Sequence, residues 1–255
     1  MSRRRPAELP APYLRRILVE PEKVADWSEY PFSLPLFATR EFELGFERPV
    51  TIIVGENGSG KSTLLEGVAA LAGFDEAGGG NGYRPVDHSR ALDRSGAGLA
   101  AALRAHWLPK ITRGWFFRAE SFFSVARYLD VSALDDPTAI PPNFLSHSHG
   151  EGFLRFFAER IRQRGFFIFD EPESALSPSR QIGFLKLLKR MERDFACQII
   201  MATHSPVLMA YPGSTLLAID GAELKPTAIR DTEHFRLLKA FFDAPEVVVE
   251  EALEG

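Results

Sequence analysis

The apolar run Val50–Val54, followed at once by Gly55-Glu56-Asn57-Gly58-Ser59-Gly60-Lys61-Ser62-Thr63, restricts this chain more than any other feature. The second segment fits the pattern G-x-x-x-x-G-K-[ST], and its surroundings fit as well. A β-branched strand precedes it, and Ser62–Leu71 follows with helical spacing at Leu64, Leu65, Val68, Ala69 and Leu71. Glycines let a backbone fold round phosphates with its amide hydrogens inward, and the helix N-terminus adds partial positive charge. In such a loop Lys61 reaches the β and γ phosphates, and the Ser62 hydroxyl can ligate Mg2+.

A second signal is Phe166-Phe167-Ile168-Phe169-Asp170-Glu171. Four apolar residues carry a strand through a core and present two carboxylates at its C-terminal end, where ligands bind in open α/β sheets. Asp170 is expected to hold Mg2+, and Glu171 to orient or deprotonate an attacking water. Further strands are expected at Leu14–Glu20, Glu41–Phe46, Trp115–Arg118, Ile199–Ala202 and Leu216–Ile219, with Gly221 turning the chain toward Leu224. Helices are expected at Leu99–Trp107, Ser121–Leu129, Gly152–Arg164 and from Ser177-Pro178 to about Phe195, with a last helix capped by Asp231 or Thr232 and then an acidic tail. Alternation of strands and helices predicts an α/β fold with a mainly parallel core sheet, an antiparallel flank and a short helical subdomain.

Composition narrows the class without naming a task. The 255 residues are 45% hydrophobic and 25% charged with a net charge of −4, which excludes wholesale disorder and argues against a broadly basic nucleic-acid binder. The lone Cys197 sits in an apolar run and reads as a small buried hydrophobe, so neither a disulfide framework nor a multi-cysteine zinc site is expected. His147 and His149 lack a third ligand nearby and are not read as a metal site. No segment has the apolar length of a membrane span. Arg3, Arg4 and Arg5 are not followed by the apolar stretch of a secretory signal, and the expected compartment is the cytoplasm. Residues 1–40 read as an arm and an irregular or β segment. Residues 41–255 read as one catalytic domain, with the helical subdomain near 121–165 and a glycine-rich flexible loop near 75–98.

The two motifs, with others placed around them, resemble the ATP-binding cassette (ABC-type) P-loop ATPases, and the likeness runs from about Glu41 to Ile219. Ser148-His149-Gly150-Glu151 looks like a diverged L-S-G-G-Q signature, with Ser148, Gly150 and Glu151 at matching positions and His149 in place of a glycine. Ser174-Ala175-Leu176-Ser177 resembles the family's D-loop, with Ser177 replacing aspartate. His204 matches the switch histidine that senses the γ-phosphate, and Glu120 stands where the family has its Q-loop glutamine and is a tentative further Mg2+ contact.

This resemblance implies ATP and Mg2+ as cofactors. It implies a two-fold, head-to-tail, ATP-dependent homodimer in which Ser148, Gly150 and Glu151 reach the nucleotide of the opposite subunit. The stretch from Glu120 to Ser148 has no room for the long coiled coil of chromosome-maintenance members and is short for a transporter's helical arm. The wording of the glycine loop and Glu151 look most like small stand-alone ATPases of the RecF-like and chromosome-maintenance branch, often labelled AAA-family. The alternatives are an ATP-binding subunit of a membrane transporter and a nucleotide-gated DNA-repair or binding module with slow hydrolysis. Tyr30, Phe32 and Phe37 lie upstream of the loop, where an aromatic could stack on adenine, but core packing is the preferred reading of each.

Overall fold

A computed structural model describes residues 9–76, 78–81, 95–118, 149–161 and 163–254. Strands β1 (Leu14–Val19), β2 (Glu43–Gly45) and β3 (Val50–Val54) lead to helix α1 (Lys61–Ala72). Helix α2 (Ser95–Ala102), β4 (Leu103–Trp107) and β5 (Gly114–Arg118) follow, then α3 (His149–Arg160), β6 (Phe166–Asp170), α4 (Pro178–Phe195) and β7 (Gln198–Ala202). The chain closes with the short α5 (Pro206–Met209), the β8 (Thr215–Asp220) and β9 (Glu223–Pro226) hairpin, α6 (Glu233–Asp243) and α7 (Pro245–Glu254).

The main sheet has the order β5-β6-β7-β3-β8-β9, parallel throughout except for β9. The second sheet, β2-β1-β4, is antiparallel. This is the α/β architecture with a parallel core and an antiparallel flank expected above.

Period-two alternation explains why the central strands are apolar on both faces. Ile53, Phe166, Ile168, Ile200 and Ala202 point into one buried cluster with α1, α2 and the small sheet. Their neighbours Ile52, Val54, Phe167, Phe169, Ile199 and Met201 point into the other, with α3 and α4. That second face is unusually aromatic. Phe117, Phe153, Phe157, Phe169 and Phe184 meet edge to face or tilted at centroid separations from 4.5 to 6.1 Å, each contact adding to plain area burial.

A buried amide helps tie the small sheet to the large one. Gln198, at the start of β7, accepts from the backbone amides of Tyr13 and Leu14 at 2.7 and 2.8 Å and donates to the Leu14 carbonyl at 3.0 Å. Gly114 closes another seam. A Cβ there would lie 1.6 Å from the Phe166 carbonyl oxygen, so β5 can approach β6 only with glycine at that position.

Two expectations are corrected. The reading of Leu99–Trp107 as helix fails beyond Ala102. Leu103–Trp107 alternates buried and exposed positions and pairs antiparallel with β1, a tertiary contact that overrides helical propensity. The acidic tail is instead α7, whose first position is Pro245, a residue suited to opening a helix. Residues 121–129 and most of the glycine-rich loop and helical subdomain lie outside the described residues. Cys197 is fully buried, and burial pushes its thiol up to about 12, consistent with an inert core residue.

Candidate active site

Strand register assembles the site. Arg118 pairs with Asp170 across β5 and β6, Asp170 with Ala202 across β6 and β7, and Ala202 with Ile53 across β7 and β3. All these strands are parallel, so their C-terminal ends share one edge. Whatever follows each strand emerges there: the glycine loop after β3, Glu171 after β6, and Thr203-His204 after β7.

The glycine loop runs into α1 through Gly60, whose φ of 97° is left-handed and favours glycine. Lys61 is 4% exposed, and its Nζ donates to the carbonyls of Gly55 at 2.7 Å and Glu56 at 2.9 Å. Burial lowers its pKa, while Glu171, Asp170, Glu56 and Glu173 pull it back up. Ser62 Oγ donates to Asp170 Oδ1 at 3.1 Å. Burial pushes the Asp170 carboxyl up to about 6, against the opposing pull of Arg118 and the Ser62 hydrogen bond. A hydroxyl beside a buried carboxylate is an oxygen donor set, the kind that suits a hard divalent cation. Among the described residues no cluster of three His, Cys, Asp or Glu side chains could hold a metal alone.

Glu171 has φ 46° and ψ 56°, a left-handed conformation uncommon outside glycine. Such strain tends to persist where the surroundings over-determine it, often at functional positions. Here the Glu171 amide donates to the Ala202 carbonyl at 3.0 Å. Its Oε1 lies 3.4 Å from His204 Nε2, close enough for electrostatic attraction, yet Nε2 is buried with no hydrogen-bond partner. Burial and then Lys61 lower the His204 pKa, Glu171 raises it, and His234 lowers it again. The neutral ring is therefore favoured near pH 7.

Several groups that support this edge escaped the sequence reading. Arg118 pairs with Glu66 at 2.6 Å and lies 3.8 Å from Asp170 Oδ2, with all three side chains mostly buried. Glu66 follows Ser62 by one helical turn, a spacing that places both on the same face of α1 and was visible in the sequence. Glu173 Oε1 accepts from the His204 amide at 2.5 Å. Buried Gln181 donates to the Leu176 carbonyl and accepts from Ser205 Oγ, joining the D-loop segment to the switch loop. His234 Nε2 lies 2.7 Å from His204 Nδ1. A cavity of about 650 Å3 opens beside this pair, lined by Glu173, Gln181, His204, Phe235, Leu238 and Phe242 among others.

The upstream aromatics divide. Phe37 is fully buried and Phe32 packs on it in the core. Tyr30 is 53% exposed, and its hydroxyl is 2.7 Å from Thr63 Oγ1. It lines a cleft of about 180 Å3 with Leu34, Asn57, Gly58, Lys61 and Glu171. Gly150 and Glu151 fall in the first turn of α3, where Glu151 forms an exposed ion pair with Arg180 at 3.4 Å. Ser177 is the N-cap position of α4, with its Oγ 3.2 Å from Ser179 Oγ. Glu120, His147 and Ser148 lie outside the described residues.

Two family models match segments on either side of this edge. One, described as "AAA domain, putative AbiEii toxin, Type IV TA system", covers residues 141–210. The other, described as "AAA domain", covers residues 33–97. The hemin import ATP-binding protein of Burkholderia thailandensis is 29% identical over 252 residues, covering 78% of this chain and 89% of that protein. The thiamine import ATP-binding protein of Cereibacter sphaeroides is 25% identical over 195 residues, covering 68% and 79%. A solved head domain of an SMC protein from Thermotoga maritima superposes with a TM-score of 0.45 at 17% identity, covering 85% of this chain and 99% of that one. Its strand ends converge on the glycine loop, and in sequence the chain is similar to ABC-type import ATP-binding proteins and to AAA domains.

Proposed function

We propose that the chain is a Mg2+-dependent ATPase of the soluble, stand-alone kind related to the RecF-like and chromosome-maintenance branch, working as an ATP-dependent head-to-tail homodimer. The observation that carries this reading is the convergence of Ser62, Asp170, Glu171 and His204 on one sheet edge beside Lys61.

The amides of Gly55–Thr63 would hold the phosphates, with Lys61 Nζ exchanging its two loop carbonyls for phosphate oxygens. The exposed Tyr30 ring lines the same cleft, which supports it as the aromatic that stacks on adenine. Ser62 and Asp170 would hold Mg2+, which when bound neutralises charge on the phosphates. Glu171 takes the proton of the attacking water as its oxygen bonds to the γ-phosphorus and the bond to the bridging oxygen breaks. His204 offers its Nε2 proton to a γ-phosphate oxygen. The absence of a hydrogen-bond partner for that buried nitrogen supports this role.

Ser148, Gly150 and Glu151 would complete the opposite subunit's site. The start of α3 at His149 supplies a helix N-terminus there, whose partial positive charge suits a phosphate. Glu120 is assigned a secondary contact with Mg2+ or water. No helix among the described residues is long and apolar enough to cross a membrane.

Subunit mixing tests the dimer. Lys61→Ala and Ser148→Arg homodimers should each be inactive, since each breaks both sites. After free exchange half the dimers are mixed, and each mixed dimer has one intact site, so activity should return to about a quarter of wild type. Mixed dimers that form with ATP and stay inactive contradict a signature acting across the interface.

A further inference from the structure

The phosphate-loop chemistry does not call for an imidazole on α6, yet one is held against the back of the switch histidine. His234 is the second residue of α6, and its Nε2 is 2.7 Å from His204 Nδ1. The ring centroids are 4.8 Å apart and the planes are inclined by 53°. The position of α6 is fixed locally by Thr232, which is 5% exposed. Its Oγ1 accepts from the Phe235 amide and donates to the Ile229 carbonyl at 2.7 Å.

Two neutral imidazoles at this distance share one proton between the facing nitrogens, so the tautomer of one ring dictates that of the other. If His204 donates from Nδ1, its Nε2 becomes a bare lone pair. That lone pair then faces Glu171 Oε1 at 3.4 Å, and beyond it the place of an anionic phosphate. Both contacts are repulsive. If His234 donates from Nε2, the His204 proton moves to its own Nε2, and both contacts become attractive. Glu171 and the phosphate, against the opposing pull of the Lys61 cation, select the second arrangement, with His234 as donor. His204 Nε2, buried and without a hydrogen-bond partner, is then a donor reserved for an acceptor outside the protein.

We infer that His234 is a positioning residue for ATP hydrolysis. By donating from Nε2 it holds His204 in the Nε2–H tautomer and in the rotation that aims that proton at the γ-phosphate. The inference rests on the proposed role of His204 in hydrolysis and goes one layer behind it. It also makes α6, an element outside the phosphate loop and the paired carboxylates, part of the reactive unit.

The test compares His234→Phe, His234→Gln and His204→Ala in the full chain, with ATP binding and thermal midpoint measured for each. His234→Phe keeps a ring and removes the donor. Its kcat should fall about ten- to a hundredfold with little change in KM, the range typical of partners that orient a reactive ligand. His234→Gln returns an amide N–H near the lost Nε2 and should recover most of kcat. In wild type, 15N-resolved NMR of the His204 ring should find the proton on Nε2. Wild-type kcat in His234→Phe beside an inactive His204→Ala overturns the inference and leaves the site reading intact. Wild-type kcat in His204→Ala overturns the site reading itself. Equal losses in His234→Phe and His234→Gln, or a wild-type His204 proton on Nδ1, also overturn the inference, and the NMR result does so even if a variant fails to fold.

Discussion

On the phosphate-loop side of the cleft, the groups that would touch nucleotide come from one uninterrupted run, Gly55–Thr63, between a strand and the helix it opens. On the opposite side, Arg118, the Asp170-Glu171 pair, His204 and His234 come from separate elements that meet through strand register and the docking of α6. The first side is a local solution: glycines at left-handed φ, inward amides and a helix terminus, all dictated by adjacent residues. The second is a tertiary solution. Each of its charged groups is partly buried and depends on a partner far away in sequence, such as Arg118 on Glu66 or His204 on Glu173 and His234. A defect on the first side should thus abolish binding with little cost to folding, whereas a defect on the second should couple catalysis to stability.

The largest expected separation is at Arg118. Arg118→Met keeps the apolar stem and leaves Glu66 buried without its cation, which should cost about 3 kcal/mol of folding stability. Denaturant midpoints measure this. The double variant Glu66→Gln with Arg118→Met should recover part of the loss, because the Glu66 charge is then gone, while Asp170 has still lost its neighbouring cation. Equal losses in the single and double variants would mean the pair is not the source, and the contrast between the two sides would blunt.

A smaller effect follows from Asp170. Burial raises its pKa to about 6, so the folded protein favours the protonated acid more than the unfolded chain does. Without Mg2+, this group therefore costs the fold stability as pH rises from about 4 to 6, and the full cost remains above that. Protons and Mg2+ compete for the same oxygens. The Mg2+ affinity of the ATP-bound protein should fall about tenfold for each pH unit below 6 and level off above it. Titration of Mg2+ against bound nucleotide fluorescence at pH 5, 6, 7 and 8 checks this. An affinity flat across that range would remove Asp170 from the cation site.

The same contrast explains what could be read from the sequence. Val50–Thr63 and Phe166–Glu171 were legible because strand, turn and helix are encoded by neighbours, and the observed β3, α1 and β6 follow. His204 is singled out in the sequence by the resemblance to a family's switch histidine, not by its position past an apolar run alone. The Arg118–Glu66 pair left only a faint trace in the four-residue step from Ser62 to Glu66, and the sequence reading passed over it. His234 left none, since nothing near it in sequence says that α6 returns to the switch loop. Leu103–Trp107 was misread for a related reason. Its strand state is imposed by pairing with β1, far upstream, and β1 is itself held by Gln198 from β7. Tyr30, Phe32 and Phe37 were indistinguishable as aromatics in a proline-rich stretch, and only packing separates the exposed ring from the two core ones.

The central claim is that the two sides act on one phosphate, with the loop binding it and Glu171 promoting attack on it. Glu171→Gln tests this most directly, because the amide keeps the shape of the side chain and loses its charge and its basic oxygen. Single-turnover hydrolysis should slow about 10²- to 10⁴-fold, while ATP affinity stays near wild type and the protein accumulates as an ATP-bound dimer by light scattering. Hydrolysis at the wild-type rate, with ATP bound as before, would contradict the account.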